Sequence, residues 1–462
     1  MPWIPHDLQR TPTLLLLAAC VFLGAVPMWA QQNPGAPSTG EQPATLSTEP
    51  PLTLAAAMLR ALELNPSAEA ARSGVDMARA DLRRLRSTVL PQLNASGSAT
   101  RHDRSAAFEI EGNTTVVQPR DDWQYSVTLS QPIYAGGREL KAIRQARLGV
   151  DSSEAGVRGV EEDLLLGTAT SYLAAVQGTA LVEVENKSLE LAKRRGAQAK
   201  DFFDAGETTK VDVLRAETGA KEAERRVARA EAIRDSALSR LRENLALDAL
   251  PPLAGRGAEP PPLPSEAELL ERAARLRPEV QQARFAESIA LLEVAKQKGS
   301  RLPVVRAEAS YREQAAGFPL PSSAGVSLLV DVPIFDSGER SARIAHAQAA
   351  ADQARYQREQ AERAVREDVR RALLDLRTAE RGLALAAEQL QAAEAEYAQA
   401  FDLYRAQEST ALDLEAAENS LADARRAMVV GTLDQDLATL LVWARVSALT
   451  DTVRARAAQE TQ

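Results

Sequence analysis

Side chains able to do chemistry are few in this chain, and their placement narrows what it does. Only three histidines are present, His6, His102 and His346, with a single cysteine, Cys20. A histidine-based catalytic triad or a metal cluster has little to build from. His102, beside Asp103 near the end of an alternating stretch, reads as exposed loop. Gly136-Gly137 lacks the spaced third glycine of a nucleotide fingerprint, so it reads as a turn rather than a phosphate cradle. The residues therefore call for no enzyme, metal or cofactor. What remains is carboxylate chemistry in two matched segments, "DAGETTKVDVLRAE" (204–217) and "RAQESTALDLEAAE" (405–418).

The match between those segments is part of a duplication. Pro66 and Pro91 recur as Pro278 and Pro303 at an offset of 212 residues. From Pro132 onward the offset is 201 and holds without a gap, taking Pro132 to Pro333, Gly137 to Gly338, Asp212 to Asp413 and Glu217 to Glu418. The change leaves the first copy with 11 extra residues between its second and third prolines, which locates a longer loop there. Repeats span 52–250 and 265–450, joined by a Pro-rich connector at 251–264 and followed by a tail at 451–462.

Each repeat holds the same elements in the same order. In "DWQYSVTLSQP" Trp123, Tyr125, Val127 and Leu129 alternate with Gln124, Ser126, Thr128 and Ser130, the pattern of a strand with one apolar and one wet face. Strands are predicted at about 92–104, 122–132, 304–313 and 324–333, four per chain. Helices are predicted at about 66–90, 138–203 and 208–248, and again at 278–302, 340–404 and 410–449. The Pro-free stretch from Arg340 to Tyr404 would reach about 100 Å at 1.5 Å per residue. Along it Val369, Leu376, Leu383, Leu390, Tyr397 and Tyr404 recur every seven residues, each of the first five followed three positions later by alanine, which is a heptad seam of large against small. The first copy is looser, with Glu185 in the row. The two shorter helices of the second repeat, laid end to end, are expected to match the long one.

Four strands cannot close into a barrel, and the open edges are not viable in a bilayer, so strands that span a membrane need several chains. Three chains would give 12 strands. The N-terminus reads as an export signal, 1–30, with Arg10 ahead of "TLLLLAACVFLGAV" and cleavage after Ala30. A second reading takes "LAAC" as a lipoprotein box with Cys20 lipidated. Residues 31–51 are Pro/Ser-rich linker, and after residue 30 no apolar run long enough for a membrane helix is expected. The formal net charge of −9, with no basic block, argues against nucleic acid as a partner.

The elements "LTLAAAMLRALELNP", "LPQLNASGS", "QPIYAGGRELKAIRQAR" and "AGETTKVDVLRAE", in this order and repeated, resemble the TolC-type outer-membrane efflux family over residues 52–450. The resemblance implies a mostly α, internally duplicated fold with a small membrane β part, in which three protomers build a helical tunnel continuous with a 12-stranded barrel. It implies a homotrimer set in outer-membrane lipid and reaching into the periplasm, fed by a periplasmic adaptor protein and an inner-membrane transporter in efflux or type I secretion. It places Asp413 at an acidic constriction of the helix tips, with Asp212 as its first-copy counterpart, Glu415 and Glu418 as neighbours and Arg405 as a closing partner. Asp413 as a simple helix cap is the plainer alternative. Adaptor docking falls on Ala205-Gly206-Glu207 and Ala406-Gln407-Glu408, where Gln407 replaces the family's glycine and predicts either a different turn or less close adaptor binding. Trp123 and Tyr125 are expected as lipid-facing anchors. A periplasmic coiled-coil scaffold is the alternative function, although it leaves the amphipathic strands without purpose.

Overall fold

A computed structural model describes residues 51–110, 113–256, 262–315, 322–406 and 408–460. The expected export signal, Cys20, the linker to residue 50 and Gln407 lie outside the described residues. In chain order the elements are α1 (Leu54–Leu64), α2 (Pro66–Ser87), β1 (Gln92–Arg101), β2 (Ala106–Ile110), β3 (Asn113–Gln118), β4 (Asp121–Ala135), α3 (Arg138–Asp204) and α4 (Lys210–Leu245). The second half follows with α5 (Glu266–Leu276), α6 (Pro278–Gly299), β5 (Val304–Gln314), β6 (Ser322–Asp331), α7 (Glu339–Arg405), α8 (Ala411–Arg445) and α9 (Leu449–Glu460). Pro66 and Pro278 open α2 and α6 at the first helical turn, where the missing N–H costs nothing.

Four strands form one antiparallel sheet in the order β1-β4-β5-β6. The described strands number six rather than the four expected, because β2 and β3 pair as a separate ribbon in the longer loop of the first copy. β1 stops at Arg101, short of residue 104, while β4 continues past Pro132 to Ala135 through an irregularity between Pro132 and Tyr134. Proline can end a ladder locally without ending the strand when a bulge absorbs it. On β4 exposure alternates residue by residue, with Trp123, Tyr125, Val127 and Leu129 on the exposed face.

β1 follows α2, β4 leads into α3, β5 follows α6 and β6 leads into α7, and these helices touch in the same order, α2-α3-α6-α7. Farther from the sheet, α4 and α8 take the places of α2 and α6, giving α4-α3-α8-α7. α3 and α7 each hold 67 residues, about 100 Å of helix. α6 and α8 hold 22 and 35 residues, so together they fall short of α7, contrary to expectation, and α5 also packs on α7. α9 occupies the stretch expected as a tail.

The main core lies midway, where α1, α5 and α9 meet the long helices around Met58, Leu165, Leu241, Leu269, Val369 and Leu449. Tyr172 is fully buried there and its hydroxyl donates to the carbonyls of Leu52 (2.8 Å) and Gly255 (3.0 Å). Toward the tips the packing thins to a seam in which Ala393, Leu421 and Ala424 are buried against Leu390 and Tyr397. Small residues let the helix axes approach, as close side-by-side packing requires. α3 and α8 each contain a stretch apolar enough by composition to cross a membrane, contrary to the sequence expectation, but 50% and 39% of those stretches are buried in the protein. Both helices also give residues to the core, among them Leu165 and Val442.

The repeated Pro-Gly junctions are the hinges between sheet and helix. Gly136 and Gly137 have φ of +65° and +68°, and their second-copy counterparts Ser337 and Gly338 have +53° and +89°. Two successive left-handed residues turn the chain from strand into helix. At Gly136 a Cβ would lie 2.1 Å from the carbonyl oxygen of Gly299 at the end of α6, so the backbones meet where no side chain fits.

Candidate functional site at the helix tips

The tips are the two hairpin turns that end α3 and α7. Helix α3 closes with the amide of Glu207 bonding back to the carbonyl of Phe202 (2.8 Å), and Gly206 takes φ +79°. Helix α7 closes with the amide of Glu408 on the carbonyl of Leu403 (2.9 Å), the same bond at the 201-residue offset. The expectation for Gln407 itself falls outside the described residues. Both are the six-residue closure typical of a helix C-terminus. Ala205 and Ala406, each in right-handed geometry, are the C-caps.

Asp212 and Asp413 have the same local job. Each is the third residue of its helix and completes a capping box, with Thr209 for α4 and Thr410 for α8. Oδ2 of Asp413 accepts from the Thr410 hydroxyl at 2.6 Å, the Thr410 amide at 3.0 Å and the Ser409 hydroxyl at 3.2 Å. Oδ2 of Asp212 accepts from the hydroxyls of Thr209 (2.6 Å) and Thr208 (2.9 Å). These bonds, the threonine hydroxyls foremost, hold both carboxyls below the usual range, so they stay charged. Arg405 lies over the Phe401 ring at 5.9 Å and makes no ion pair among the described residues.

Glu415 and Glu418 are tied to a residue that sequence reasoning missed. Arg195 of α3, 6% exposed, donates to Glu418 at 2.7 Å and approaches Glu415 at 3.3 Å, clamping α3 to α8 and so the first repeat to the second. Burial pushes the Glu418 carboxyl up, against the lowering pull of Arg195. Gly219 makes room, since a Cβ there would sit 2.8 Å from the arginine. These residues border a cavity of about 270 Å³ between α3, α4 and α8. Ten residues nearer the core, Glu185, which breaks the heptad row, accepts from Arg426 of α8 at 2.8 Å and Arg226 of α4 at 3.3 Å. It is a second buried ionic tie among the same three helices. In sequence Arg195 is one charge in "AKRRGAQAK", flanking the seam where heptads carry solvated charge; only its facing helix reveals it as buried.

At the other end, Trp123 and Tyr125 are 43% and 42% exposed and stack with ring centroids 5.8 Å apart on the apolar face of β4. The Tyr125 and Tyr311 hydroxyls both donate to Glu313.

A protein-family model described as "Outer membrane efflux protein" matches residues 58–246 and 269–441, one match in each repeat. The outer membrane efflux protein BepC of Brucella suis biovar 1 (strain 1330) is 24% identical over 383 residues, covering 82% of this chain and 81% of BepC. Protein CyaE of Bordetella pertussis is 25% identical over 336 residues, covering 70% of this chain and 69% of CyaE. Among solved structures, the CmeC outer membrane channel of Campylobacter jejuni superposes with a TM-score of 0.74 at 16% identity, over 92% of this chain and 97% of CmeC. The MtrE outer membrane channel of Neisseria gonorrhoeae, in its open state, gives 0.72 at 19% identity over 92% and 98%. The fold is that of these channels, and with family matches over well more than half its length the chain belongs to the outer membrane efflux protein family.

Proposed function

We propose that three copies of this chain form a continuous conduit, a 12-stranded barrel in the outer membrane leading into a helical tunnel through the periplasm. It acts as the exit duct of a tripartite efflux or type I secretion system. The name of BepC favours efflux. One observation carries the reading: an antiparallel sheet with an exposed apolar face and two unpaired edges, β1 and β6, each joined in sequence to a helix of the wall. Unpaired backbone groups in hydrocarbon cost several kcal/mol each, so the edges must be closed by other copies. The duct is passive, and its closed state is set at the tips. There the carboxylates of Asp212 and Asp413 stay charged and favour cations, while an adaptor protein docks on the turns at Ala205-Gly206-Glu207 and Ala406-Gln407-Glu408. An inner-membrane transporter chooses the cargo.

Planar-bilayer recording of the purified protein tests this, comparing the native chain with Asp413→Ala. Discrete cation-selective openings that lose selectivity in the variant support the duct and its acidic mouth. A folded sample that never inserts overturns the duct, and unchanged selectivity removes Asp413 from the mouth.

A further inference from the structure

Helices α2 and α3 lie side by side just below the sheet, and their ion pairs set the level of one against the other. Arg72 pairs with Glu161 (3.5 Å) and Arg79 with Glu154 (2.9 Å), so the two antiparallel helices advance together by seven residues. One further heptad toward the sheet sets Arg86 level with Arg147 across the same groove. Where the two lower steps place arginine against glutamate, this one places arginine against arginine. Arg83 lies one turn, about 4.5 Å, below this pair and Arg144 one turn above it. All four side chains are exposed, and none of their guanidinium groups makes an ion pair or hydrogen bond among the described residues.

The chirality of the chain tells which way this groove faces. The carbonyl of Trp123, whose ring lies on the apolar face of β4, accepts from the Ala315 amide at the end of β5 (2.8 Å). An L-residue with its side chain toward the viewer aims its own carbonyl to the right of its direction of travel. Seen from the apolar face with the tips down, β4 descends, so β5 lies to its left and α6 to the left of α3. Gln145 of α3 meets α6 there, donating to the Ile289 carbonyl and to Glu293, both at 3.0 Å. A right-handed helix turns clockwise down its axis by about 100° per residue, so Arg144 points to the viewer while Ala142, Ala146 and Gly149 point away. The arginines therefore share the side of the molecule on which the sheet is apolar. Directly above them Leu90 and Leu140, 56% and 61% exposed, continue that apolar band. Above the Arg79–Glu154 level the carboxylate on this side of α2 and α3 is Asp151, one against four arginines.

The duplication supplies a control within the chain. In the second repeat the matching positions on α6 and α7 are Ala295, Lys298, Ala345 and Gln348. The same wall is thus built without the arginine pair, and its presence in the first repeat is not a demand of the fold. Two like charges at one level repel unless an anion sits between them.

We propose that the α2–α3 groove beneath the apolar band binds an anionic phospholipid of the periplasmic leaflet, with Arg86 and Arg147 holding the headgroup phosphate between them and Arg83 and Arg144 flanking it. The site lies within one chain, so it needs the sheet to sit in the outer membrane but does not need the three-copy duct. Guanidinium N–H groups match phosphate oxygens in pairs, and long arginine stems lie along apolar surface while their heads reach the headgroup layer. A zwitterionic headgroup brings its own cation and gains less. Each arginine beside an anionic lipid surface contributes roughly fivefold in binding.

Native mass spectrometry tests this on the full chain released from outer membranes in detergent and titrated with phosphatidylglycerol or phosphatidylethanolamine. The native chain should retain phosphatidylglycerol in clear preference. Arg86→Gln/Arg147→Gln should weaken that retention about 25-fold and erase the preference. Arg225→Gln/Arg229→Gln, exposed on α4 far from the sheet, should leave it unchanged. A preference that survives in the first variant, or is lost equally in the second, overturns the site. A measurement without substitutions stands beside these: retention by the native chain should fall as ammonium acetate is raised, and salt-independent retention overturns the charge pairing. Stronger retention of lipopolysaccharide than of phosphatidylglycerol overturns the assignment to a phospholipid. A monomeric mass with the lipid preference intact sinks the duct and leaves this site standing.

Discussion

Replacing Arg195 by alanine removes the one cation that Glu418 and Glu415 share across the α3–α8 contact. The Glu418 side chain is only 10% exposed, so the variant leaves a carboxylate buried without its partner. Breaking a buried pair from one side costs about 3–5 kcal/mol. At about 1.4 kcal/mol per tenfold, that is roughly a 150-fold to several-thousand-fold rise in the opening constant of the α3–α8 contact. Amide hydrogen exchange reads this locally, as faster exchange over the first turns of α8, from Ala411, with the core around Tyr172 unchanged. The effect carries a pH signature. Burial already raises the Glu418 carboxyl, and a raised acid favours folding at low pH and loses that contribution as pH rises through its folded value. Without Arg195 the carboxyl rises further, so the defect should shrink on acidification, and Arg195→Ala/Glu418→Gln should recover much of the loss at neutral pH. Exchange that accelerates less than tenfold, or a double variant as labile as the single one, would refute the view that this clamp holds the repeats together near the tips.

Other perturbations give separate readouts. Gly136→Ala should sharply reduce the yield of folded protein in the outer membrane, because it combines a left-handed φ with a Cβ placed on the Gly299 carbonyl. Gly338→Ala, with open space around it, should cost only the backbone strain of about 1–2 kcal/mol and fold normally. Glu162, which accepts from the Thr450 amide (3.3 Å) and hydroxyl (3.1 Å), is pushed by burial from 4.5 up to about 7. Its folded value is the higher one, so it should cost α9 docking up to about 3 kcal/mol as pH climbs from 4.5 through 7, with a plateau above. Limited proteolysis after α8 across that range should show α9 loosening, and Glu162→Gln should abolish the dependence.

Periodic features were legible in the sequence because they are local. Alternation in "DWQYSVTLSQP" marked β4, the heptads marked α7, and the two offsets marked the duplication and the site of the longer loop. That loop's ribbon, β2–β3, carries no comparable alternation and went unpredicted. The capping role of Asp413 could be foreseen from "STALD", where a threonine precedes an acid by three residues, and it stood as the plainer alternative to a constriction. Arg195 and the meeting of Gly136 with Gly299 were invisible, since each depends on residues more than 150 positions away coming into contact. A charged residue flanking a heptad seam has no sequence mark that tells burial from solvation. The conformation of Gly206 followed from its type, and the bond from Glu408 to Leu403 repeats the first tip's closure at the second helix end.

The shared order of strands and helices also bears on the bore. In cooper's terms each chain supplies four staves, and the count is four in the sheet, four beside it and four near the tips. In the proposed trimer twelve staves bound the passage at every height. Tilted strands about 4.8 Å apart give a ring roughly 25 Å across. Helices 8–10 Å apart give one of roughly 30–38 Å between axes, or about 20–28 Å once the helix bodies are subtracted. The number of staves thus stays constant from sheet to tips, with the ring of helix axes somewhat wider than the ring of strands. A hooped cask can narrow only where its staves are free to lean, and here that is the end beyond the last hoop, at the turns after Asp204 and Arg405.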